Sequence, residues 1–189
     1  MKKAIFFSLF FVTFLMISSC NHRKSLLPEH VTCRCLLTPT SSPHDTYLIE
    51  VSDDCIITTA FGWCPDTVMK MIKEDGHITR YDKNLVERIE KQEERKISPQ
   101  KYVSLLDLLD KSSGVKCDNP FVEGWAWDAW IVVLMTETDQ YIYMRDEEPN
   151  ETIKLLVNEL ISLSPVPFSE DKLVGGRKKI VEVGDSLIN

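Results

Sequence analysis

Cys33-Arg34-Cys35 holds the residue types best suited to covalent chemistry in this chain. The thiolate is the nucleophile and metal ligand, and a neighbouring arginine lowers a thiol pKa. The pair therefore reads as a redox or metal candidate, or as one end of a structural disulfide. Position favours the disulfide, because the pair does not sit at a helix N-terminus. Zinc needs four Cys, His or carboxylate ligands at spacings that close a tetrahedron. C-x-C beside His22, His30 and His44 has no such spacing, so no metal is expected. A hydrolase needs a nucleophile, a base and an orienting group. Only His77 falls within the expected body, next to Asp75-Gly76. There is no G-x-S-x-G, no glycine-rich phosphate loop and no H-E-x-x-H. The acid pairs Asp53-Asp54 and Glu147-Glu148 fall in expected turns, where charge is solvated. These residues assign no catalytic group and no cofactor.

Tryptophan offers binding rather than catalysis. Trp125-Ala126-Trp127-Asp128-Ala129-Trp130 is the most unusual composition of the chain, with Trp63 as a further member. Alternation along a strand places Trp127 with Ile131 and Val133, and Trp130 with Asp128 and Val132. These rings either fill the core or leave one face for a partner, and exposed tryptophan anchors interfaces. On the second reading the contact residues are Trp127, Trp130, Asp128 and the nearby Glu123.

The N-terminus carries the strongest positional signal. Lys2-Lys3, an apolar run from Ala4 to Ile17, and Ile17-Ser18-Ser19-Cys20 follow one another. This resembles the signal peptide and lipobox of a bacterial lipoprotein, which implies cleavage before Cys20 and lipidation of that thiol. The run is shorter than the roughly 20 residues that span a bilayer. The resemblance implies a membrane partner through Cys20, in a cell envelope and facing the periplasm. Removing residues 1–19 moves the formal charge from −7 to −9. An acidic surface argues against nucleic acid and suits a basic protein, or simply keeps a tethered domain soluble.

With Cys20 on lipid, Cys33, Cys35, Cys55, Cys64 and Cys117 remain in a compartment that permits disulfides. An odd number allows at most two internal bridges. Cys55 and Cys64 suit a short loop, and Cys33 or Cys35 suits a long-range bridge to Cys117. Sequence leaves the connectivity open.

Those residues need elements to hold them. Residues 20–45, with Pro28, Pro39 and Pro43, read as a tether, with a short strand at Thr32 to Leu37. Tyr47 to Val51 and Ile56 to Phe61 are β-prone. Val68 to Lys73 alternates, and Asp75-Gly76 before Ile78 to Tyr81 signals a hairpin. Asn84 to Lys96 has helical propensity but only Leu85, Val86 and Ile89 for a buried face. Ser98-Pro99 opens a helix that Gly114 ends. Trp127 to Met135 and Tyr141 to Met144 are strands. Pro149-Asn150 opens a second helix, with Ile153, Leu156, Val157 and Leu160 at helical spacing. A tail follows from 166, with a short strand at Ile180 to Val183. The expectation is an α+β domain over 46–165: a single antiparallel sheet with two helices packed on one face.

Phe61-Gly62-Trp63-Cys64-Pro65, then Asp75-Gly76, Tyr81 and Ile97-Ser98-Pro99, resemble an uncharacterised family of small bacterial exported domains. The resemblance extends to Asp128 and the last proline-led helix. It implies that Asn84 to Lys96 is a strand. It carries no activity. Such domains often hold a second cysteine before the Phe-Gly pair, where this chain has Ala60, so Cys64 has Cys55 as its nearest thiol or no bridge. Together these readings describe a non-catalytic, lipid-anchored binding module, in its sharper form an inhibitor or immunity-type lipoprotein against a toxin or hydrolase. The alternatives are a thiol-active envelope enzyme and a structural envelope lipoprotein.

Overall fold

The computed structural model describes residues 27–78, 84–115, 129–145 and 150–169. The leader with Cys20, and Tyr81, Cys117, Glu123, Trp125, Trp127, Asp128 and Ile180 to Val183, lie outside the described residues.

Six strands form one antiparallel sheet: β1 (Val31–Pro39), β2 (Thr46–Ser52), β3 (Ile56–Trp63), β4 (Glu87–Lys96), β5 (Trp130–Met135) and β6 (Gln140–Met144). Their order is β4-β3-β2-β1-β5-β6. The helices are α1 (Asp66–Lys70), running on into a π-turn over Met71–Asp75, α2 (Pro99–Ser112) and α3 (Glu151–Leu163). The α+β class stands, with three helices among the described residues.

β1 extends the short strand expected at Thr32 to Leu37 and takes residues 31–39 of the expected tether into the body. Val31–Pro39 lies inside the sheet, paired with β2 on one side and β5 on the other. Pro39 is its last residue, and Pro43 opens a 3₁₀ turn over Pro43–Asp45. Proline suits both places, since neither needs its missing N–H. Arg34 is the one charged residue of this strand. It is buried, yet its guanidinium donates to the Glu50 carboxylate directly opposite on β2.

Alternation sorts the core into two clusters. Cys33, Cys35, Leu37, Tyr47, Ile49, Val132 and Leu134 pack with Leu105 of α2 and with Ile153, Leu156 and Leu160 of α3. Leu36, Leu48, Ala60, Ile131 and Val133 pack with Val68, Met69 and Ile72 of α1.

Val68 to Lys73 is thus helical, not a strand. Over six residues the apolar positions satisfy both periods; Val68, Met69 and Ile72 are the buried ones, a helical spacing. Gly76 (φ +66°) ends the turn in the left-handed region, its N–H donating to the Met71 carbonyl at 3.0 Å. Asp75-Gly76 is therefore a helix stop rather than a hairpin turn. Within Asn84 to Lys96, Glu87–Lys96 is the strand β4 despite its helical propensity. Its apolar residues are too few to bury a helix face, while β3 offers a full row of backbone partners.

The two longer helices start as their caps dictate. Ser98 Oγ accepts from the Lys101 N–H at 3.2 Å, and Asn150 Oδ1 from the Thr152 N–H at 2.8 Å. Gly114 follows α2 at φ +72°. Lys101 of α2 pairs with Glu159 of α3 at 2.9 Å. The expected tail from 166 begins as core: Val166 is buried, and Phe168 lies 4.8 Å from Trp130 and 5.2 Å from Tyr47 between ring centroids. No helix among the described residues is long and apolar enough to cross a membrane.

Candidate functional site

Thiol chemistry finds no footing at Cys33, Cys35 or Cys64, whereas Cys55 is half-exposed. Cys33 and Cys35 project from β1 into the same cluster and are fully buried. Burial pushes the Cys33 thiol up, and pushes Cys35 up to about 12. Arg34, between them, points to the opposite face and is engaged by Glu50, so it does not activate either thiol. Burial likewise pushes Cys64 up to about 12, against a smaller lowering by Thr38. Reactive cysteines are exposed; these three are buried.

The four described cysteines are free, which corrects the Cys55–Cys64 loop. β3 runs between them, and nine extended steps separate their Cα atoms by about 30 Å, where a disulfide needs less than about 7 Å. Cys33 and Cys35, two apart on one strand, are held about 6.6 Å apart with parallel side chains. Cys117, the remaining member, is outside the described residues.

Trp130 is core, not contact surface. It is 6% exposed and packs on Tyr47 and Phe168. Its indole N–H has no hydrogen-bond partner among the described residues. The other three expected contact residues, Glu123, Trp127 and Asp128, are not described.

The structure brings together other groups. Where the start of β1 meets the β2–β3 and β5–β6 turns, a cavity of about 580 Å³ opens. Leu27, Pro28 and Val31 line it with Glu29, His30, Asp53 and Glu137. His30 Nδ1 lies 3.1 Å from Asp53 Oδ2. That hydrogen bond, and then the Asp53 charge, raise the His30 pKa above its ordinary value. Imidazole and carboxylates converge here, and Thr32, whose hydroxyl lies 3.0 Å from the Tyr102 hydroxyl, also lines the cavity. No group of three His, Cys, Asp or Glu side chains among the described residues could hold a metal ion.

Beyond this cavity the sheet face that carries the α1 cluster is only partly covered. Cross-strand register sets Glu94 opposite Thr58, Thr58 opposite Glu50, and Glu50 opposite Arg34. Directly opposed residues share a face, so Gln92, Glu94 and Lys96 join Ile56, Thr58, Glu50 and Ser52 on one surface. Every residue of β4 is exposed, and those of β2 and β3 just named are half-buried. On this surface Glu50 and Glu94 are balanced by Arg34 and Lys96, with Glu50 already paired to Arg34, and the acidic surplus comes from Glu29, Asp53 and Glu137 on the cavity rim beside it. Sequence reasoning missed it because its residues come from three strands; the signal was β4 itself, a strand with no apolar face.

At the far end of β3, Trp63 forms the second unexpected feature. The His44 ring packs edge-on against it, and the Arg88 guanidinium lies 4.3 Å from its ring centroid. Ile89, next along, is 49% exposed.

No family model, curated protein or solved structure matches this chain.

Proposed function

We propose that this chain is a non-catalytic binding module, lipid-anchored through Cys20 in a bacterial cell envelope and facing the periplasm, whose open sheet face holds a basic protein. The single observation that carries the reading is β4: ten consecutive strand residues, all exposed, extending a half-covered sheet face. A strand gains little by standing clear of its own core unless it prevents association or supports it. Charge selects the partner. The chain carries −7, and Glu29, Asp53, Glu137 and Glu94 lie on or beside the surface. Complementary charge steers encounter and rejects wrong partners. The sharper form, an inhibitor or immunity-type lipoprotein, fits a small acidic domain that occludes a basic toxin or hydrolase. In this reading α2 and α3 together close one face of the sheet, which leaves for binding the part of the other face that α1 does not cover. The buried thiols of Cys33, Cys35 and Cys64 support a non-catalytic role over a thiol-active enzyme that uses them.

The test is affinity capture with full-length protein, and with the Gln92→Arg and Glu94→Arg variants. Both positions are exposed, so the fold tolerates them. The parent retains one stoichiometric basic protein, and the double variant binds it at least about tenfold more weakly, chiefly through slower association. Equal capture by both would remove this face from the account. Capture of cell-wall material alone would favour the structural lipoprotein.

A further inference from the structure

The corner at Trp63 is built in a way that edge protection does not require. The β3–β4 ladder is regular from Ile56 opposite Lys96 to Phe61 opposite Lys91. Then Trp63 faces Glu87, so β4 carries extra residues and bulges. The bulge presses on Gly62, where an added Cβ would stand 2.8 Å and 2.9 Å from the Glu87 and Arg88 carbonyl oxygens. Within the bulge Arg88 takes φ +46°, a left-handed conformation. Bulges at edges re-aim side chains and stop further pairing. A glycine or asparagine at the left-handed position would do this without strain. Arginine stands there instead, and its guanidinium lies over Trp63. No carboxylate among the described residues pairs with it.

We propose that Arg88 on Trp63 is a recognition anchor for one carboxylate, an Asp or Glu side chain presented by the protein partner. This rests on the binding-module reading and adds the chemistry of one contact. A guanidinium stacked on a ring keeps its N–H edges free in a fixed plane, matched to both oxygens of a carboxylate. Ile89, exposed beside it, adds the apolar contact that surrounds such anchors, and arginine and tryptophan dominate interface hot spots. Overall negative charge excludes a polyanion here, but a single carboxylate on a basic protein is compatible with it.

The test needs no partner, so it fails separately from the capture experiment. Full-length protein is titrated with N-acetylglutamate amide, and the Arg88 Nε–H and Trp63 indole N–H resonances are followed. Saturable shifts at both, with a Kd of about 10 mM, are expected. Arg95, whose side chain donates to the Leu163 carbonyl, is the internal control. Arg88→Lys keeps charge but loses the planar fork, and weakens binding about tenfold. Trp63→Leu weakens it without removing the cation. Shifts at Arg88 no larger than at Arg95, unchanged binding in Arg88→Lys, or tighter binding of inorganic phosphate would each overturn the proposal.

Discussion

Gly62→Ala tests the bulge that shapes the β4 edge. An added Cβ meets three backbone atoms: the Glu87 oxygen at 2.8 Å, the Arg88 oxygen at 2.9 Å and Ile89 Cα at 3.0 Å. None is the end of a flexible side chain, so the strand itself must move. Overpacking of this kind costs about 1–3 kcal/mol. Working the other way, replacing glycine inside a strand gains about 0.5–1 kcal/mol of backbone entropy. The net is a loss centred on about 1 kcal/mol, opposite in sign to the usual effect of glycine to alanine in a strand. Equilibrium urea unfolding reads it as a midpoint lower by about 0.5–1 M with an unchanged slope. Trp63 fluorescence should shift in the folded state, because the displaced bulge carries Arg88 off the ring. Gly114→Ala is the comparison. Its Cβ would meet nothing within 4 Å, so its cost is only that of φ +72°, about 1–2 kcal/mol, and the Trp63 signal stays unchanged. A neutral or stabilising Gly62→Ala would refute the close approach and the bulge argument with it.

Three further outcomes are expected. His30 should titrate above its ordinary 6.5, and Asp53→Asn should return it towards that value in a histidine NMR titration. Because its folded pKa is raised, the stability it contributes is complete below the unfolded pKa and is lost as pH rises through the folded one. Native labelling with iodoacetamide at pH 8 should mark half-exposed Cys55 and spare Cys33, Cys35 and Cys64, as peptide mass spectrometry would show; label on Cys33 would contradict its burial. Leu156→Ala, at the centre of the larger cluster, should cost about 2–5 kcal/mol in urea unfolding, and a loss below 1 kcal/mol would mean that α3 is not docked there.

Elements with their own punctuation were legible. Ser98-Pro99 and Gly114 bracket α2, and Asn150 and Ser164-Pro165 bracket α3, because caps and stops are local chemistry. β2, β3, β5 and β6 were legible from β-branched and aromatic runs. Where tertiary contacts decide, local reading failed. β1 was legible only as a short strand at Thr32 to Leu37; its place in the middle of the sheet depends on β2 and β5, and Glu50 on β2 makes Arg34 tolerable there. Val68 to Lys73 is too short to separate a period of two from one of 3.6. The open face was not legible at all, since Glu94, Thr58 and Glu50 become neighbours only through register. Trp63 was noticed for its ring, but its use depends on a bulge that sequence alone does not place.

The most direct test of the binding-module account is a pair of captures from envelope extract and from competitor cells, under crosslinking. One bait is the full-length chain; the other carries Gln92→Arg and Glu94→Arg. Matching thermal unfolding of the two baits establishes that both are folded. The account predicts one basic protein held stoichiometrically by the first bait and largely lost from the second. The same protein held equally by both, or none held by either, would contradict it.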